Sequence, residues 1–159
     1  MWWYPYAATT AALVVVAAAG ILATEIGPWY RALEKPSWQP PDWAFGPVWT
    51  TIYCFIVVSV GHAWNAAPAG AHGAILWAVG VNFVLNMLWS ALFFKLRRPL
   101  WALVEVVPLW LSIVAMVVIF ARHDTLAAWL LAPYLLWVSV AAWLNLTIVR
   151  LNPRTRTFA

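Results

Sequence analysis

The sequence predicts an all-α membrane protein, a bundle of five transmembrane helices with a long folded loop between the first and second. Three observations carry this. The 159-residue chain is 65% hydrophobic and 9% charged, with mean hydropathy +0.82, whereas a soluble domain carries roughly 25% charge. Five apolar runs, at about 6–26, 44–66, 72–94, 99–121 and 126–149, each approach or exceed the ~20 residues a helix needs to cross hydrocarbon. Eight of the nine Lys and Arg residues fall on one side of a five-span threading. Backbone groups in lipid need partners within their own segment, so the runs read as helices. Residues 1–159 read as a single membrane domain.

The first run is interrupted only by Thr9, Thr10, Thr24 and Glu25. It lacks the positive leader of a signal peptide, so it is expected to stay as the first helix. Gly27-Pro28 ends it. EKPSWQPPDWAF at 34–45 follows, a poor helix and a poor strand with three prolines and two tryptophans. The second run starts with Pro47 in its first turns, where a missing amide matters least. Residues 66–70, AAPAG, close it. Lys95, Leu96, Arg97, Arg98 and Pro99 join the third and fourth runs. Arg122-His123-Asp124-Thr125 joins the fourth and fifth, with Asp124 or Thr125 as N-cap. Asn152-Pro153 stops the fifth. Pro108 and Pro133 fall inside the fourth and fifth runs and are expected to kink them, either shaping a cavity or as ordinary membrane-helix prolines.

Five spans put the termini on opposite sides. Side A holds the N-terminus and the 67–71 and 122–125 loops, with Arg122 as its cation. Side B holds Arg31, Lys35, Lys95, Arg97, Arg98, Arg150, Arg154 and Arg156. The positive-inside rule makes side B cytoplasmic, with the N-terminus non-cytoplasmic and the C-terminus cytoplasmic. The +4 net charge follows from these loops and implies no nucleic-acid partner.

The chain's unusual residues lean toward side B. Trp49, Tyr53, Trp89, Phe93, Glu105 and Asn145 all lie in that half, beneath the 34–45 loop. Asn82, Asn86, Trp89 and Phe93 share one face of the third helix. The amides are either interhelical glue or ligand contacts. Glu105, about two turns into the fourth helix, is an ionisable group at a depth where such groups are functional candidates by default. A carboxyl bonded between helices is the structural alternative. Gly70, Ala74 and Ala78 recur every four residues and suit a homodimer contact.

Other chemistry is poorly supported. Cys54 is the one cysteine and cannot make an intrachain disulfide. His62, His72 and His123 lack the companions of a metal site, and no nucleotide loop or nucleophile elbow occurs. Fourteen tryptophans exceed the needs of an interfacial belt, so some should line the interior. A lining of indoles, phenyl rings and amides suits a large, flat, mostly apolar ligand. Tetrapyrroles and sterols both fit. A carboxylated tetrapyrrole would also use the side-B arginines.

Three stretches, in order across the spans, carry a resemblance. They are WYRALEKPSWQPPDWAFGPVWTTIY at 29–53, LNMLWSALFF at 85–94 and LLAPYLLWVSVAAWLNLTIVRLN at 130–152. The chain resembles the translocator protein family, also called tryptophan-rich sensory proteins or peripheral-type benzodiazepine receptors, over nearly all its length. The resemblance implies a five-helix bundle, commonly dimeric, whose first loop covers a pocket for porphyrins, sterols and synthetic ligands. Carried over, the pocket would use Trp38 and Trp43 of the loop, Trp49 and Tyr53, then Asn86, Trp89 and Phe93, then Trp137 and Ala141, with Ala23 from the first helix. Asn82 stands where bacterial relatives usually show glutamine, so the amide stays with a shorter reach. LNLTIVR at 144–150 lacks the tyrosine of the sterol-recognition pattern, which places porphyrin ahead of sterol.

The implied role is binding of protoporphyrin or heme-like tetrapyrroles in sensing or transport linked to tetrapyrrole metabolism or stress, with no cofactor required. The alternatives are a light- and oxygen-dependent porphyrin-degrading enzyme, with Trp38 and Trp137 as photochemical participants, and a sterol- or lipid-translocating protein. Pro36, Pro40 and Pro41 would stiffen the loop so that Trp38 and Trp43 point down as a lid.

Overall fold

The computed structural model describes residues 1–153; Arg154 and Arg156 lie outside the described residues. Its helices are α1 (Tyr4–Ala23), α2 (Pro28–Ala32), α3 (Asp42–Ala66), α4 (His72–Ser90), α5 (Pro99–Ala121), α6 (Thr125–Trp129) and α7 (Ala132–Leu151). A 3-10 turn at Ala69–Ala71 leads into α4 and a π turn at Ala91–Lys95 extends it. Five units are long and apolar enough to cross a membrane: Tyr4–Ala23, Asp42–Ala66, Ala69–Lys95, Pro99–Ala121 and Thr125–Leu151. The chain is thus an integral, multi-pass bundle.

Proline sets several boundaries. Pro28 favours an extended residue before it. Gly27 is extended at φ −94°, ψ −172°, and Pro28 heads α2. The first span therefore ends at Ala23 rather than near 26, with Thr24 folding back to donate from Oγ1 to the Gly20 carbonyl at 2.7 Å. Pro108 lies inside α5 as expected. Pro133 does not lie inside a continuous helix, because it starts α7 after a break at Leu130 and Leu131. At that break the Leu131 amide donates to Ala128, not Ala127. Buried Ser59 of α3 donates to the Ala127 carbonyl instead, at 2.6 Å. A neighbouring helix thus satisfies backbone that the break frees. Asp124 is the N-cap of α6, accepting from the Ala127 amide at 3.0 Å.

The core follows helical spacing. Ile52, Ile56, Val60 and Ala63 of α3 meet Leu13 and Val16 of α1, Ile75 and Phe83 of α4, and Val106, Leu109, Ile113, Met116 and Phe120 of α5. Tyr134 and Val138 of α7 complete it. α4 packs on α5, α5 on α7, and α1 on α3 and α4. Gly61 permits the α1–α3 approach, since a Cβ there would overlap the Tyr6 ring. A second cluster at side B joins Tyr30 and Leu33 of the loop to Phe93, Ala102, Leu144 and Ile148.

Candidate functional site

The first loop is tied down by polar contacts on its own backbone. The Asn152 side chain accepts from the Glu34 amide at 3.0 Å and donates to the Glu34 carbonyl at 2.9 Å and the Ile148 carbonyl at 2.8 Å. This clasp joins the loop to the end of α7. Inside the loop, Tyr30 Oη donates to Asp42 at 3.2 Å and accepts from Gln39 Nε2 at 3.2 Å. Lys35 Nζ donates to the Tyr30 carbonyl at 2.6 Å and lies 4.1 Å from the Tyr30 ring centroid. Burial first, then the Asp42 charge, pushes the Tyr30 phenol up to about 12, so it remains a donor at neutral pH.

Beneath the loop the aromatic rings converge. Trp89 stacks on Phe93 at 5.3 Å and 18°. Phe93 also meets Trp29 and Phe94, while Tyr30 meets Phe94 at 5.6 Å. Phe45 packs edge-on against Trp137 at 5.5 Å. A cavity of about 30 Å³ remains among these rings, bounded on α7 by Ala141, Leu144, Asn145 and Ile148. The π turn at Ala91–Lys95, which often marks a functional position, carries Phe93 and Phe94, and the Leu96 amide closes it on Ala91 at 2.8 Å. Arg97 follows at φ 55°, the left-handed region, and meets Glu25 at 3.5 Å.

Toward the bundle centre a polar network replaces the rings. Asn82 Nδ2 donates to Ser112 Oγ at 2.8 Å, and Ser112 donates to the Leu109 carbonyl at 2.6 Å. Tyr134 Oη donates to Asn82 Oδ1 and accepts from Asn86 Nδ2, both at 3.1 Å. Trp49 packs on Tyr53 and Tyr134 at 5.5 and 6.1 Å. Asn145, with its amide oriented to satisfy both neighbours, donates to the Pro99 carbonyl and accepts from the Leu103 amide, each at 3.0 Å.

Trp89, Phe93, Trp137 and Ala141 thus gather at the ring cluster, and Trp49, Tyr53, Asn82 and Asn86 gather around Tyr134. Ala23 is buried at the side-B end of α1, outside the cavity lining. The two expected lid indoles do not cover the site. Trp38 is 45% exposed, in a turn where the Gln39 amide donates to the Pro36 carbonyl, and Trp43 is 76% exposed. Trp43 and Phe45 are two residues apart in α3, nearly opposite on a helix. Phe45, Val48, Trp49 and Ile52 take the inward face, so Trp43 is turned out. Tyr30 and Phe45 cover the cavity in its place. Sequence reasoning missed Tyr30, Phe45, Ser112 and Tyr134 as site residues. The signal available for Phe45 was its three- and four-residue spacing to Val48 and Trp49.

A model of the TspO/MBR family matches residues 7–151. The chain belongs to the TspO/MBR family. The chain is 43% identical over 129 residues to a tryptophan-rich protein TspO of Chlorobaculum tepidum, covering 79% of this chain and 80% of that one. It is 36% identical over 130 residues to the translocator protein of Sus scrofa, covering 80% and 77%. It is 35% identical over 127 residues to the translocator protein of Homo sapiens, covering 78% and 75%. The family match takes in the first loop and all of the membrane helices except the first turn of α1, so the ring cluster and the Tyr134 network both lie inside the shared region.

Proposed function

We propose that this family member is a membrane binder of porphyrins, protoporphyrin or heme-like, acting in sensing or transport linked to tetrapyrrole metabolism. The observation that carries this reading is the gathering of Tyr30, Phe45, Trp89 and Phe93 around one small cavity at a loop held by hydrogen bonds, with Trp89 stacked on Phe93. The remaining space of about 30 Å³ has room for about one water, whereas a ligand pocket spans roughly 300–1,000 Å³. Binding therefore requires the loop to lift, so that a flat ligand replaces ring–ring contacts with ring–ligand contacts. Trp38, in the loop, reaches the ligand only in that lifted state, while Trp43 stays on the outer face of α3. Asn86, Trp89, Phe93, Trp137 and Ala141 form the wall. Side-B cations, on the side assigned to the cytoplasm, would meet ligand carboxylates. The C-terminus lies on that same side.

A homodimer through α4 is part of this reading. Of the expected contact residues, Gly70 and Ala74 are exposed, with Gly73 and Gly80 beside Trp77, whereas Ala78 is half-buried against the core, and the face carries a groove of about 490 Å³ lined by Leu76, Trp77, Val81 and Val84.

The test is titration of the purified protein in darkness with protoporphyrin, heme and a sterol, following tryptophan emission. Saturable one-to-one quenching by the tetrapyrroles, weakened in Trp137→Phe and Asn86→Ala, is expected. Non-saturating quenching, or equal affinity in both variants, would remove the assignment.

A further inference from the structure

The buried polar groups of the bundle divide into two sets. Near Tyr134 they are matched, through Asn82, Asn86, Ser112 and Tyr134 itself. Nearer the loop the matching stops. Glu105 is 7% exposed, and among the described residues neither carboxyl oxygen has a hydrogen-bond partner. The buried indole N–H of Trp89 likewise has no acceptor.

Helix register puts these two at one level. The Asn82–Ser112 bond pins α4 against α5. The two run antiparallel, so seven residues along each, close to two turns, brings Trp89 level with Glu105. The Trp110 Nε1–Ser139 Oγ bond at 2.9 Å pins α5 against α7, and five residues along each brings Glu105 level with Leu144. Trp89 and Leu144 both line the small cavity. A donor without an acceptor and an acceptor without a donor therefore flank the same layer of the site.

Stability does not account for them. A carboxyl among apolar helices costs free energy that a methionine or leucine would not. An unmatched indole N–H adds to that cost. We propose that Glu105 and the Trp89 indole form a polar subsite that takes one group of a flat apolar ligand. That group donates to the carboxyl and accepts from the indole, as a hydroxyl or the adjacent N–H and C=O of a lactam does. The inference rests on the ligand-binding reading above and adds the ligand's chemistry to it.

The test uses matched probes on the full chain in lipid nanodiscs, read by calorimetry. One pair is 2-quinolinone and its N-methyl derivative; the other is 2-naphthol and 2-methoxynaphthalene. In the unmodified protein the N–H or O–H member of at least one pair binds about tenfold tighter than its methylated partner, and the pair that discriminates separates lactam from hydroxyl. Glu105→Met removes that preference by weakening the N–H or O–H member alone. Trp89→Phe weakens both members of the pair, since both keep the acceptor oxygen. Thermal stability of Glu105→Met equals or exceeds that of the unmodified protein.

Equal binding within both pairs overturns the proposal, because the polar groups are then bridged by water. So does a preference that survives in Glu105→Met, or a fall of several degrees in its melting temperature, which reveals a structural partner. Protoporphyrin titrated into the same nanodiscs separates the two claims. If it binds while both probe pairs fail to discriminate, the subsite alone falls. If neither it nor the probes bind, the ligand-binding reading falls with it.

Discussion

Replacing Asn152 with alanine should loosen the first loop without disturbing the spans. The side chain makes two hydrogen bonds to Glu34, at 3.0 and 2.9 Å, both exposed. A net bond contributes about 0.5–1.5 kcal/mol, and exposed ones fall at the low end because water competes. Losing both should cost the closed loop about 1–2 kcal/mol, a shift of roughly 5–30-fold in its opening equilibrium. Hydrogen exchange reads this directly. Amides at 29–39 should exchange roughly 5–30-fold faster, while those of the α4–α5 core stay unchanged. Asn152→Asp keeps the acceptor for the Glu34 amide and loses the donor, so it should fall between. If ligand enters only through the open loop, apparent affinity scales with the open fraction. Asn152→Ala should then bind protoporphyrin faster and more tightly. Unchanged loop exchange would refute the clasp, and faster exchange with slower binding would refute the gating.

Gly61→Val should lower the melting temperature by the equivalent of about 1–3 kcal/mol through overlap with Tyr6, and Tyr6→Ala in the same chain should recover part of it. Ser59→Ala leaves the Ala127 carbonyl unmatched and should cost about 0.6–1.7 kcal/mol in a membrane unfolding assay. Asp124→Ala removes the α6 cap at a cost of about 1 kcal/mol, while Asp124→Asn keeps an acceptor and should stay near the original. The Ala127 amide, then His62, holds the Asp124 carboxyl below its ordinary range. Its contribution is therefore full above the unfolded pKa and lost as pH falls through the lower folded value. Tyr30 works in the opposite direction. Its folded pKa of about 12 lies above the ordinary 10.0, so its contribution is complete below pH 10 and declines as pH rises toward 12, with loop exchange increasing over that interval.

The five spans were legible because each is an uninterrupted apolar run, and length alone separates it from a strand. Boundaries were less so where proline acted in a second way. Pro28 marks an end in the sequence and is also a beginning, and Pro133 has the position of a kink but starts a helix. The third-helix face was legible too, since Asn82, Asn86, Trp89 and Phe93 follow helical spacing. What meets that face was not. Ser112 and Tyr134 lie 30 and 52 residues from Asn82, and no local pattern fixes a register between helices that far apart. The same limit explains the lid. Both Trp43 and Phe45 are aromatic residues near a helix start, and only the phase of α3 against the bundle decides which turns inward.

That phase also divides the third-helix face in a way composition does not. Its four residues form one stripe, yet the two amides and the two rings have different surroundings. Asn82 and Asn86 meet hydroxyls presented by α5 and α7, so their amide groups are engaged and hold three helices in register. One turn further toward side B, among the described residues, α5 presents no matching hydroxyl to Trp89, and the Glu105 carboxyl at that level has no hydrogen-bond partner of its own. The π turn then rotates Phe93 under the loop, where it meets rings instead of polar groups. A fully matched layer resists rearrangement, because opening it would leave amides bare in hydrocarbon. An unmatched layer carries no such penalty on opening. Rearrangement therefore costs less between the Tyr134 network and the Asn152 clasp than at the network itself.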